Sequence, residues 1–269
     1  MNNTFNINRF GLLLKRQWLD FGKIYLGTLV VLIGIIIGFY SYFIPSIHSN
    51  NITDYDGNLD MRFRYGLFLF LGFLFISIIA SNYFNLLGQK SRAILELMTP
   101  ASVFEKFLSG IFYTAIISLF SYLLIFYLTD LAFVKYLNSN IDAFKGINPK
   151  VTEAQSISHQ LFNDKNYLEY CGYFFASPFL ITSIFLLGSV YFNRFHYIKT
   201  AISVMIFSGI TAYIIFKAAD ILTSDMVRVN HGNYRNNGDS ALLLILLITT
   251  ALTLIFWAIA YIRLKEKEV

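Results

Sequence analysis

Six uninterrupted apolar blocks set the limits on what this chain can fold into. They fall at about 24–44, 63–84, 107–129, 170–192, 198–216 and 242–262. A helix of about 20 apolar residues, rising 1.5 Å per residue, crosses the roughly 30 Å hydrocarbon core of a bilayer. In that core each backbone polar group must be satisfied without water, which a single segment achieves only as a helix. A soluble domain carries about a quarter charged residues to keep its surface wet. Here the figure is 14%, against 56% hydrophobic. The expected fold class is an all-α integral membrane protein with six transmembrane helices, read as one domain over residues 1–269.

The connections alternate in charge. Arg9, Lys15, Arg16 and Lys23 precede the first block, and Lys90, Arg92 and Lys106 lie between the second and third. Arg194 and Lys199 flank the short turn between the fourth and fifth, and Arg263, Lys265 and Lys267 close the chain. These connections hold twelve basic and five acidic residues, and the opposite side holds nine and eleven. Basic residues in short loops stay in the cytoplasm, so both termini are expected inside. The formal net charge of +5 is spread over helix ends with no basic run. Anionic lipid head groups, and not nucleic acid, are therefore its expected counter-charge. A lone cysteine, Cys171, excludes an internal disulfide and a cysteine metal cluster, and is expected as a buried, inert thiol.

No Asp, Glu, Lys, Arg or His lies in the interior of any block. Ion-coupled transporters and pumps place such groups at membrane depth, and intramembrane proteases need an acid, base or metal-ligand set there. Neither H-E-x-x-H nor G-x-S-x-G occurs, so no enzyme is expected. The phosphate-cradling sequence G-x-x-x-x-G-K-[ST] is also missing, so any ATP would be bound by a partner and this chain holds no cofactor.

Three segments beyond the blocks carry further information. In an N-terminal helix over residues 5–23, Phe10, Leu14, Trp18 and Phe21 fall on one face together with Tyr25. Arg9, Arg16, Asp20 and Lys23 fall on the other. Such a helix is expected to lie in the membrane interface, apolar face in the acyl boundary. The second segment, 85–106, reads as a short helix at 91–98, a break at Pro100, and a capping box Ser102-x-x-Glu105 opening the third span. This compact elbow is expected to expose Arg92, Glu96, Thr99, Glu105 and Lys106 to the cytoplasm. The third is the external segment 130–169, long enough to need structure of its own. Its first part, 131–137, should extend the third span, and 151–162 should form a helix. The four histidines, His48, His159, His196 and His231, are isolated and read as surface residues.

Taken in order, these parts resemble the type-2 permease family of ATP-binding-cassette exporters. Those chains have an N-terminal interfacial helix, six spans, cytoplasmic termini and an elbow of the form Arg/Lys-x-x-x-x-Glu-Leu-x-x-x-Pro-x-Ser followed by an acidic-basic pair. The corresponding residues are Arg92, Glu96, Leu97, Pro100, Ser102, Glu105 and Lys106. The resemblance implies that the elbow is a coupling helix docking on a separate ATP-binding subunit, with Met98 and Phe104 as apolar plugs. It also implies a homo- or heterodimer of permease chains in a bacterial cytoplasmic (inner) membrane. One departure concerns the connection 217–240, too polar to carry the re-entrant helices common in such permeases. A non-transporting membrane scaffold or assembly factor is the alternative, and a secondary transporter built on uncharged groups such as Asn82 and Ser121 ranks behind it.

Overall fold

Helix formation follows from the apolar runs, and their ends follow from local chemistry. In the computed structural model the described residues are 5–45, 59–84, 99–147, 151–159, 171–223 and 235–268. The first helix, α1, runs from Ile7 to Phe43. Asn6 caps it, its side chain accepting from the amides of Asn8 at 3.0 Å and Arg9 at 3.4 Å. Pro45 ends it by forcing Ile44 into extended backbone. Then follow α2, Phe63–Tyr83, and α3, Val103–Ile111. A π-helical segment at Phe112–Ile117 leads into α4, Ser118–Ser139, and the short α5, Ile141–Ile147. The last three helices are α6, Ser177–Tyr191, opened by Pro178 in its first turn, α7, His196–Thr223, and α8, Arg235–Glu268.

Six helical stretches are long and apolar enough to cross a membrane: Ile7–Phe43, Phe63–Tyr83, Val103–Ser139, Cys171–Tyr191, His196–Ile214 and Leu242–Lys267. Each coincides with one of the six blocks. The described residues are almost entirely helical, with only single bridge positions at Leu59 and Thr152.

Three local expectations are corrected. No break separates an N-terminal helix from the first span, because α1 continues unbroken through residues 23 and 24. Its buried residues Leu13, Gln17, Phe21, Tyr25, Leu32, Ile36 and Tyr40 form a single stripe along its whole length. Phe21 and Tyr25 thus face protein instead of lipid: between ring centres, Phe21 lies 6.5 Å from Tyr113, Tyr25 lies 6.2 Å from Phe75, and the two lie 5.9 Å from each other. Second, residues 151–156 are not helical, and only 157–159 begin a helical turn. Third, Cys171 is exposed.

The chain divides into two compact units. One comprises residues 6–79 and 111–172, the other 1–5, 80–110 and 173–269. In the first, α1 packs on α4, and α2 meets α4 where Gly72 lies under the Tyr122 ring. A Cβ at Gly72 would stand 2.8 Å from that ring, so the close crossing requires glycine. In the second, α6 packs against both α7 and α8. There a Cβ at Gly188 would run into the Thr200 side chain.

Candidate functional site

The elbow is built from the start of α3. The Ser102 amide donates to Glu105 Oε2 at 2.9 Å, and the Glu105 amide donates to Ser102 Oγ at 3.2 Å. Both bonds of the capping box are therefore made, and they satisfy two of the amides that a helix start leaves without partners. The Ala101 amide donates to the Thr99 carbonyl at 2.8 Å, tightening the turn around Pro100. One turn further, Ser109 Oγ donates to the Lys106 carbonyl at 2.7 Å and accepts from the Tyr83 hydroxyl at 3.2 Å. This ties the end of α2 to the beginning of the third span. Gly110 allows the approach: a Cβ there would lie 3.0 Å from the Phe84 ring.

Burial corrects the expected surface of the elbow. Glu105 is 0% and Lys106 3% exposed, and Thr99 is also buried. The reason is the cap itself, which turns Glu105 inward onto the Ser102 amide. Phe104 remains 46% exposed, while its ring meets Phe5 at 6.3 Å and Tyr261 at 6.4 Å, edge-on in both cases. Arg92, Glu96 and Met98 lie outside the described residues. Of the N-terminal residues, Phe21 is buried, Phe10, Leu14, Arg9 and Arg16 are half-buried, and Trp18 is exposed yet stacked on Tyr113 at 6.2 Å. Arg16 pairs with Asp20 one turn away at 4.0 Å.

A second cluster, in the other unit, went unseen in the sequence. Arg64 and Asp130 form an ion pair at 3.2 Å, their side chains 2% and 0% exposed. Asp130 is fully used. Its Oδ1 accepts from Arg64 and from the Tyr40 hydroxyl at 2.8 Å, and its Oδ2 accepts from the Ile157 amide at 2.7 Å. Arg64 also donates to the Gln155 carbonyl at 2.8 Å. Nearby, the Asn138 side chain makes both bonds of an amide pair with Ala154, at 3.0 and 2.8 Å. Three side chains, Arg64 at the start of α2 and Asp130 and Asn138 on α4, thus satisfy the backbone of 154–157. Val151, Ala154 and Ile157 are buried beneath it. A strap with its backbone groups so committed has no need of a helix, which explains the extended run at 151–156.

Burying an ion pair costs several kcal/mol per ion, repaid only when the remaining hydrogen-bonding capacity is filled. Asp130 meets that condition. Its chemistry is that of a clasp, with every carboxylate contact directed at protein. The signal for it was present: Arg64 is the second residue of an otherwise charge-free block, and Asp130 the first after another.

His196, read as a surface residue, is buried at the start of α7. No protein-family model, no curated protein and no solved structure matches the chain. What the fold defines is a helical protein whose six long apolar helices could span a membrane. That description marks it as an integral membrane protein.

Proposed function

We propose that the chain is the membrane-spanning subunit of an ATP-binding-cassette exporter, with both termini in the cytoplasm and a separate subunit binding ATP. The observation that carries this reading is the doubly bonded capping box at Ser102 and Glu105, which opens the third span directly after the Pro100 break. A membrane helix that starts in so defined a way gives the preceding elbow a fixed base. A fixed base is what force transmission from a soluble motor requires. The buried clasp at Arg64 and Asp130 supports the same reading, since it ties the strap at 154–157 to α2 and α4. The permease works as a pair of chains in a bacterial cytoplasmic membrane, and the motor contacts the elbow through Arg92, Glu96, Met98 and the open edge of Phe104.

The test is purification of the intact chain from native membranes in mild detergent, followed by an ATPase assay on the complex. Glu96→Lys lies outside the capping box and leaves the helix start intact. A co-purifying ATP-binding subunit, lost in Glu96→Lys, is the expected result. If no such subunit accompanies the wild-type chain while a control transporter complex survives, the chain is a scaffold and transports nothing.

A further inference from the structure

The turn joining α6 to α7 combines backbone strain, exposed aromatic rings and cations. Phe195 has φ +56°, the left-handed region, and among the described residues it is the single non-glycine there. A bulky side chain is rarely found in that region. Burial of the ring does not offset it, because the Phe195 side chain is 72% exposed. Tyr191, at the other end of the turn, is 57% exposed. The surroundings hold this geometry firmly. Lys267 Nζ donates to Asn193 Oδ1 at 3.3 Å, the Arg263 guanidinium lies 5.3 Å over the Tyr191 ring, and Lys199 Nζ lies 5.7 Å from the Phe192 ring centre. The charge is lopsided. Arg263 is matched by Glu266 at 2.7 Å, whereas no carboxylate among the described residues pairs with Arg194, Lys199 or Lys267.

The turn sits at the end of two candidate spans, Cys171–Tyr191 and His196–Ile214, beside the end of a third, Leu242–Lys267. That position is the depth at which a bilayer presents its head groups. An exposed ring flanked by cations is the composition of a membrane-surface anchor: the ring enters the acyl boundary and the cations meet phosphate. We propose that Phe195, Tyr191, Arg194, Lys199 and Lys267 form a binding site for anionic phospholipid, with Phe195 held in its strained conformation so that its ring enters the bilayer. The site stands independently of the exporter reading, since it needs only that α6, α7 and α8 span a membrane.

The test uses the full chain in detergent, with binding of phosphatidylglycerol and phosphatidylcholine followed by native mass spectrometry. A basic residue near an anionic surface contributes about 1 kcal/mol, or about fivefold in affinity. Wild type should retain phosphatidylglycerol in preference to phosphatidylcholine. Arg194→Ala with Lys199→Ala should weaken phosphatidylglycerol binding roughly 25-fold by the same measure and leave phosphatidylcholine unchanged. Lys135→Ala, which removes an exposed cation from the other unit, should have no effect. Phe195→Gly relieves the strain, so it should raise the unfolding temperature in detergent while weakening lipid retention. The proposal is overturned if wild type does not distinguish the two lipids, or if the double variant retains phosphatidylglycerol as wild type does. It is equally overturned if excess inorganic phosphate displaces the lipid, or if the double variant loses a co-purifying protein with lipid binding intact.

Discussion

At the scale of single residues, the strongest commitments are Asp130 and Gly188, and the pair Asp60 and Arg62 is a weaker one. Removing one member of a buried ion pair leaves the other charge stranded, at a cost of about 3–5 kcal/mol. Asp130→Ala should therefore unfold the protein in detergent at markedly lower temperature than wild type. Arg64→Met combined with Asp130→Leu removes the stranded charge but leaves the Ile157 amide and the Gln155 carbonyl without these partners, so it should recover only part of that loss, as read by the same melting curves. Gly188→Ala should cost about 1–3 kcal/mol through overpacking against Thr200. Asp60, outside the spans, behaves differently. Its hydrogen bond from the Arg62 guanidinium, opposed by partial burial, holds its carboxyl below the usual aspartate range. A depressed carboxyl pKa stabilises the fold above the unfolded value, near 3.9, and that contribution disappears as the pH falls through the folded value. The pair is open to solvent, so the effect is below about 1 kcal/mol. Asp60→Asn should remove this small acid-side change in melting temperature without altering the remainder of the curve.

Elements were legible to the degree that their signal was local. The six spans were readable because twenty consecutive apolar residues admit few alternatives, and the capping box was readable because its partners stand three residues apart. Helix ends were less so. The polar residues before 24 read as a separate surface helix, yet Arg16 and Asp20 pair along α1 and the helix continues. The extension of the third span through 131–137 was readable and α4 does run on to Ser139, but the neutralisation of Asp130 by Arg64 was not. Arg64 and Asp130 are 66 residues apart, and no short-range pattern couples them. The elbow was legible as a shape but not as a surface: spacing placed Glu105 on the cap, while its burial depended on packing that spacing does not encode. One prediction belongs here. Ser102→Ala should cost about 1 kcal/mol, the usual loss for an N-cap. Glu105→Ala, which also strands the buried Ser102 amide, should cost more, about 1–3 kcal/mol, in thermal unfolding.

For the molecule as a whole, the charge asymmetry of the connections predicts both termini on one side of the membrane. In a Cys171→Ser background, single cysteines introduced as Asn2→Cys and Lys267→Cys should react with an impermeant thiol reagent from the cytoplasmic side. Asp142→Cys should react from the opposite side. Labelling of all three from one side would overturn the topology. The third span bears on how such a molecule tolerates change. Along it the buried residues Thr114, Ser118, Tyr122, Phe126, Asp130 and Val134 recur every fourth position, while the Ser118 amide donates to the Tyr113 carbonyl five residues back. The wider interval coincides with the π segment Phe112–Ile117. That segment accommodates the extra residue, and so sets the phase of everything after it. Deleting one residue there would close the π turn into an ordinary α turn and keep the downstream stripe in phase, whereas a deletion in α4 before Asp130 would turn Asp130 by about 100° away from Arg64 and towards lipid. Lipid-facing positions in this stretch can exchange one apolar side chain for another almost freely, but between Ser118 and Asp130 the number of residues cannot change. Substitution and deletion therefore meet opposite tolerances within the same few turns of helix.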